Sequence, residues 1–363
     1  MTIRQYGWNE YWINQWNGLG IQDTVSEAII PGRITGDFGS KYRITTDDGE
    51  QWGELPGRLR HSLEASGEYP AVGDWISAKS ADGGPLIIHS VLPRRSVISR
   101  RAAGSQPREQ IVAANVDTLF LVSALNDDYN LRRMERYLIM AWNSGASPVI
   151  LLTKADLCPD PEAKIAEMEL AAPGVPVHAV SAYTGSGLES LKHYLGEGRT
   201  VALTGSSGCG KSTLVNWLCG ADLQLTQDVR EGDSRGRHTT THRELFLLPD
   251  GGVIVDTPGM RELQLWDDEG GLDLTFADIG RLSQRCRYAD CRHEREEGCA
   301  VKEAVRSGEL EAKRLQSYRK TQRELQFQAA KEAKSKRKSG AGPVQKSASS
   351  RSRKYGWRRE AED

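Results

Sequence analysis

The segment Gly205-Ser206-Ser207-Gly208-Cys209-Gly210-Lys211-Ser212 constrains this chain more than any other. It fits the pattern G-x-x-x-x-G-K-S, and its flanks are the ones that pattern needs. The apolar run TVALT before it predicts a buried strand, and STLVNWL after it predicts a helix. A strand that turns through glycines into a helix aims several backbone N–H groups at one point. The positive end of the helix adds to them, so the site suits phosphate. Lys211 is expected to reach the β- and γ-phosphates, and the Ser212 hydroxyl to ligate Mg²⁺. Gly205 through Gly210 and Thr213 would line the same loop.

Three further segments belong with this one. Asp256-Thr257-Pro258-Gly259 follows the apolar run GVIV, about fifty residues after the loop. A carboxylate at that strand end suits a second metal-site group, and the Gly259 N–H suits a γ-phosphate. Thr153-Lys154-Ala155-Asp156 follows the strand PVILL. The Asp156 carboxylate can accept both N1–H and the 2-amino group of guanine, a pair that adenine does not offer. The stem of Lys154 can cover the base. Ser181-Ala182 ends the strand VHAV and can offer a backbone contact to O6. Taken alone, TKAD also reads as a helix N-cap.

The chain around these segments divides by texture. Residues 1–26 carry Trp8, Trp12 and Trp16 at a spacing of four, which predicts one stripe on a helix docked against its own protein. Residues 27–105 show short alternating runs with turn signals: AIIPGRITG, YRITTDDG, GELPGRL, VGDWISAKS and PLIIHSVL. These predict an OB-like β-barrel. Lys41, Tyr42, Arg43, Arg58, Arg60 and His61 are candidates for an RNA-facing surface or for plain solvated charge. RRSVISRR reads as a basic joint. Residues 106–268 alternate apolar strands with helices, as in a mainly parallel sheet covered on both faces. Within them, GLESLKHYL reads as a helix. Residues 269–330 read as helical, and 331–363 as a flexible basic tail with too few apolar residues to order itself.

Net charge is −1, so the whole molecule is not a polycation, and nucleic-acid contact must come from local patches. No long apolar run or signal-peptide core stands in the sequence. A cytoplasmic protein without a membrane span is expected, and nothing demands more than a monomer. Such a compartment disfavours disulfides, yet three of the six cysteines cluster with a histidine. Cys286-x4-Cys291-x-His293-x5-Cys299 offers three thiolates and one imidazole, which suits a closed, structural, tetrahedral Zn²⁺. Cys158, Cys209 and Cys219 read as packing residues or incidental thiols.

The four phosphate- and base-directed segments resemble the G4, G5, G1 and G3 elements of translation-factor-type GTPases. Here they run in that order instead of starting from G1. With a barrel before and a zinc pattern after, the chain is similar to the ribosome-small-subunit-dependent GTPase A family over roughly residues 27–330. QIVAANVDTLFLVSA and GRHTTTHRELFLLP strengthen the likeness.

The resemblance implies an OB barrel, a circularly permuted P-loop GTPase domain and a helical zinc-binding domain. It implies GTP and GDP, Mg²⁺ and one Zn²⁺ as bound groups, and the 30S subunit with its 16S rRNA as partner. Hydrolysis would be coupled to late subunit maturation and to release of assembly factors. It places a switch I at 236–241, with Thr240, or Thr241 next to it, closing on Mg²⁺ and the γ-phosphate. His238 would position the attacking water.

Three departures qualify it. Met260 stands where many GTPases carry a water-orienting Gln, so slow turnover stimulated by a partner is expected. Thr153 stands where G4 often begins with Asn, which softens the expected guanine specificity. Gly208 stands where potassium-stimulated relatives carry Asn, so strong potassium dependence is not expected. Two other readings compete. A small-molecule P-loop kinase is opposed by the joint presence of TKAD, Ser181-Ala182 and DTPG. A passive RNA-binding protein with a structural nucleotide is opposed by intact Lys211, Ser212 and Asp256.

Overall fold

Asn9 starts the first helix: its side-chain oxygen accepts from the N–H groups of Tyr11 and Trp12 at 3.1 and 3.4 Å. Helix α1 (Glu10–Asn17) buries Trp12 against Trp75, with ring centres 5.7 Å apart. The helix is docked on its own protein, but the stripe is not one helix face. Trp8 lies before the cap and packs against both Trp16 and Trp75. This computed structural model describes residues 1–19, 29–66, 69–80, 84–101, 109–220, 243–256 and 269–338.

Strands β1 (Ile29–Asp37), β2 (Tyr42–Thr46), β3 (Gly49–Glu54), β4 (Trp75–Lys79) and β5 (Leu86–Val91) form the barrel, with helix α2 (Gly57–Ser66) between β3 and β4. Their order is β1-β2-β3-β5-β4, and β4 pairs back onto β1 to close the sheet in the OB arrangement. Ile34, Ile44, Ile76, Leu86 and Ile88 fill the interior. GELPGRL is only half strand: β3 ends at Glu54, and the Pro56 carbonyl accepts the first helical bond of α2 from Arg60 N.

Two expectations about the barrel's surface and its joint change here. Tyr42 points inward and is 4% exposed, so it belongs to the barrel core rather than to an outer surface. The Arg94 guanidinium is taken up by Asp74 at 2.7 and 2.8 Å and by the Tyr69 carbonyl, so it braces the barrel instead of lying open in a basic joint. The end of that joint forms β6 (Val97–Arg101), which pairs antiparallel with β7 (Glu109–Ala114).

The second unit contains β8 (Thr118–Ala124), α3 (Leu131–Ser144), β9 (Ser147–Thr153), α4 (Pro161–Ala171), β10 (Val177–Ala179), β11 (Thr200–Gly205), α5 (Lys211–Cys219), β12 (Arg243–Leu247) and β13 (Val253–Asp256). Its strand order is β10-β9-β8-β11-β13-β12. All neighbours are parallel except β12, which runs antiparallel to β13. The mostly apolar and almost wholly buried β8 and β9 need cover on both faces, and separate cores lie on the two sides. The stretch GLESLKHYL forms a 3₁₀ helix, Leu188–Tyr194, rather than an α-helix. It begins at Gly187, whose φ is 75° and where a Cβ would meet the Ala179 carbonyl at 2.2 Å.

The barrel and the second sheet join edge to edge. Gly36 and Asp37 of β1 pair with Glu244 and Arg243 of β12. Arg43 reinforces the seam through Glu244 at 2.7 Å.

Helices α6 (Glu269–Thr275), α7 (Ala277–Ser283), α8 (Ala300–Ser307) and α9 (Ala312–Lys338) build the C-terminal module around Phe276, Ile279, Val301 and Leu315. Helix α9 runs past the expected boundary at 330, because AKEAKSKRK is rich in strong helix formers. Among the described residues, no helix is long and apolar enough to cross a membrane.

Candidate nucleotide and metal sites

Parallel strands end on one edge of a sheet, and that edge gathers the described starts of all four sequence segments. Thr153 ends β9, Gly205 ends β11 and Asp256 ends β13, while Ser181 follows shortly after β10. Crevices at the carboxyl edge of such sheets are the usual ligand sites.

The phosphate loop is held from several sides. Gly205 passes so close to β8 that a Cβ would meet the Val122 carbonyl at 2.3 Å. Gly210, with φ 93°, sits at the N-terminal cap of α5 and leaves the first helical N–H groups without a side-chain cap. Lys211 Nζ donates to the carbonyls of Gly205 at 2.8 Å and Ser206 at 2.6 Å, with Cys209 Sγ at 3.4 Å. The ammonium is thus anchored inside the loop. Ser207, Gly208, Ser212 and Thr213 complete the loop and the first helical turn. Cys209 itself is buried and packs with Leu203 and Leu214, as a packing residue should.

The base-directed segments are tied to each other. Lys154 takes a left-handed φ of 57°, which turns β9 into a short 3₁₀ turn, Ala155–Leu157. Asp156 Oδ1 accepts from Ser181 Oγ at 2.5 Å, and Ala155 N donates to the Val180 carbonyl at 3.2 Å. The Ser181 hydroxyl also accepts from Thr184 N, and Ala182 is half-buried beside it. One Asp156 oxygen is fixed while the residue stays exposed, so the carboxylate is oriented and accessible.

Thr153 does something the sequence did not disclose. Its Oγ1 donates to the Cys209 carbonyl at 2.6 Å, binding the base-directed turn to the phosphate loop. Nothing in TKAD alone marks this, because the acceptor is a backbone atom far along the chain. Asp128 is a second missed residue. Its carboxylate accepts from Ser206 Oγ in the loop, and from Arg133 at 2.8 Å. Burial pushes the Asp128 carboxyl up, but the bonds from Ser206 and Arg133 outweigh it and hold it below the usual carboxylate range.

His238, Thr240, Thr241, Gly259 and Met260 lie outside the described residues. Asp256 is placed by its backbone, opposite Glu244 of β12.

The cysteine and histidine cluster assembles as its spacing suggested. Cys286, Cys291, His293 and Cys299 bring one ligand atom each within 4.8 Å of one another. Cys286 Sγ stands 3.9 Å from Cys299 Sγ and 3.7 Å from His293 Nδ1, and Cys299 Sγ is 3.4 Å from His293 Nδ1. A tetrahedral zinc with ordinary bond lengths needs S···S of about 3.8 Å and S···N of about 3.6 Å. The donor set fits. His293 adopts φ 60°, and Glu296 braces the same turn by accepting from the N–H groups of Arg292, Glu294 and Arg295.

Comparison with known proteins agrees with this geometry. The family model described as RsgA GTPase matches residues 91–266. The small ribosomal subunit biogenesis GTPase RsgA 2 of Lactiplantibacillus plantarum is 46% identical over 84% of this chain and 86% of its own. RsgA of Syntrophotalea carbinolica is 41% identical over 95% and 97%. The crystal structure of YjeQ from Thermotoga maritima superposes with a TM-score of 0.62 at 28% identity, covering 82% of this chain and 99% of that one. YloQ, described as a circularly permuted GTPase, superposes at 0.58 with 23% identity over 83% and 96%, a likeness of fold.

Proposed function

The chain belongs to the RsgA GTPase family, and from that premise we propose that it hydrolyses GTP in step with maturation of the small ribosomal subunit. The observation that carries the reading is the joining of three parts. The permuted nucleotide edge lies between an OB barrel paired to β12 and a Cys3His module packed on α3.

The residues divide the work as follows. Asp156, oriented by Ser181, reads guanine, and Lys154 covers the base. Thr153 keeps that reader in register with the phosphates. The loop N–H groups and Lys211 hold the β- and γ-phosphates and stabilise the charge that develops as the terminal bond breaks. Ser212 and Thr240 would hold Mg²⁺, with Asp256 reaching it through water, and the ion would neutralise phosphate charge. His238 orients the attacking water, and Gly259 N–H meets the γ-phosphate. Cys286, Cys291, His293 and Cys299 would hold a structural Zn²⁺, which fixes short helices around a small core.

The barrel and the zinc module bind the small subunit and its rRNA, in the cytoplasm. Two modules flanking one switch give bivalent binding, and so avidity without a new contact. GTP sets the grip. Hydrolysis loosens it and releases assembly factors.

Purified protein should be assayed for GTP hydrolysis alone, with small ribosomal subunits, and with large subunits as control. Stimulation by small subunits alone is the expected result, lost in His238→Ala. Equal affinity of GDP and GTP-analogue complexes for the small subunit would overturn the grip-and-release cycle.

A further inference from the structure

Ser206 is gripped at two points. Its carbonyl accepts from Lys211 Nζ at 2.6 Å, and its hydroxyl donates to Asp128. The other Asp128 oxygen is bound by Arg133, whose guanidinium also holds the Asp128 carbonyl at 2.6 Å. Arg133 lies in the first turn of α3, where the Asn130 cap accepts from its N–H. The phosphate loop is therefore fastened to the N-terminal end of α3 through one carboxylate.

The rest of α3 is fastened to the C-terminal module. Glu135 is 5% exposed and accepts from Arg314 Nη1 of α9 at 2.9 Å, and also from Ser317. Arg314 in turn grips Asp278 of α7 at 2.8 and 3.1 Å. Farther along, Asn143 Oδ1 accepts from Gly271 N of α6 at 2.7 Å. Gly271 lies so close to α3 that a Cβ there would meet the Ile139 carbonyl at 2.3 Å. Ile139 itself belongs to the module's core. With contacts this tight along its length, α3 cannot shift without taking the module along.

We propose that Asp128 is a positioning residue that transmits nucleotide occupancy from the phosphate loop through α3 to the C-terminal module. Arriving β- and γ-phosphates give Lys211 Nζ new acceptors, which alters its hold on the Ser206 carbonyl. The Ser206 hydroxyl carries the shift to Asp128, and Arg133 carries it into α3. The route uses none of residues 257–268. It needs only a nucleotide in the loop, and it stands apart from the identity of the ribosomal partner.

Hydrogen–deuterium exchange on the full-length, zinc-loaded chain tests it. The states are nucleotide-free, GDP·Mg²⁺ and GTPγS·Mg²⁺, with saturation checked by fluorescence titration. In the unaltered protein, nucleotide should change protection both in the loop and in α6 and α9. In Asp128→Ala, affinity should fall roughly tenfold, the loss of one charge-assisted hydrogen bond. At saturation the loop should still respond while the module no longer does. Ser206→Ala breaks the same link without touching Arg133 and should reproduce this, and it decides the matter if Asp128→Ala fails to fold. A module that ignores nucleotide in the unaltered protein overturns the proposal. So does a module in either variant that responds as before, or that loses protection equally with and without nucleotide.

Discussion

Arg33 Nη2 of the barrel donates to Thr200 Oγ1, the first residue of the phosphate-loop strand, at 2.9 Å. The guanidinium is 2% exposed, and it also donates to the carbonyls of Gly73 and Asn115 at 3.3 Å and to that of Tyr6. It stacks 5.0 Å from the ring centre of Trp75. Burial pulls its pKa down to about 10, with the Asp117 carboxylate opposing the shift. One cation thereby ties the N-terminal segment, the barrel and the nucleotide sheet together. Arg33→Ala strands several buried acceptors at once, so it should cost on the order of 3–5 kcal/mol. Urea unfolding with paired probes in barrel and sheet will read this. A loss under about 1 kcal/mol would show that the junction does not depend on Arg33.

The Thr153 hydroxyl bonds the Cys209 carbonyl and is itself buried, with the Ser123 carbonyl at 3.4 Å. Thr153→Val keeps the shape and removes the donor. A buried carbonyl left without its partner costs about 1–3 kcal/mol. If the link serves nucleotide binding, the loss should appear as GTP and GDP affinities reduced together, roughly five- to a hundredfold. Calorimetric titration of both nucleotides separates this from a change of specificity, which would move GTP against xanthosine triphosphate instead.

How much of this was legible in the sequence follows from how local each feature is. Strand, loop and helix around Lys211 are contiguous, so spacing alone predicts them. The permuted order is likewise a matter of reading along the chain. The barrel's five strands followed from alternation and turn residues. The closure of β4 on β1, and the pairing of β1 with β12, depend on partners far apart in sequence, and no local signal reports them. The same holds for Arg33, Asp128 and Arg314, whose partners lie on other elements. Nothing local in NDDYN marks Asp128, and nothing beside Arg314 sets it apart from its charged neighbours. Trp8 falls outside the helix for a smaller reason: a spacing of four is helical only if the cap lies upstream, and Asn9 lies between Trp8 and Trp12.

Asp156 and Ser181 offer a specificity test with a graded outcome. The serine hydroxyl fixes one carboxylate oxygen at 2.5 Å. Asp156→Asn replaces an acceptor of guanine N–H groups by an amide that presents a donor. GTP affinity should fall roughly a hundredfold, as expected for two hydrogen bonds to a charged group, and xanthosine triphosphate should gain. Ser181→Ala removes only the orienting bond, so a smaller loss near fivefold is expected, with guanine still preferred. Equal nucleotide preference in the unaltered protein and Asp156→Asn would show that another group reads the base.

Zinc removal probes how far the C-terminal module depends on its four donors. The separations among Cys286, His293 and Cys299 already match a tetrahedral ion, and the Cys291 thiol lies within 4.8 Å of all three. The core beside them is small, and metal affinity in such modules is folding energy. A chelator, or Cys299→Ser, should therefore unfold the module while the nucleotide sheet stays intact. One zinc per chain should be lost in parallel. Because thiolates and a neutral imidazole are the ligands, acid should release the metal as protons compete for them. The decisive comparison is exchange protection in α8 against that in β8 and β9 during chelation. Selective loss in α8 marks a metal-dependent module. Unchanged α8 protection after complete zinc removal would mean that Val301, Ala304 and their neighbours hold the helices without it.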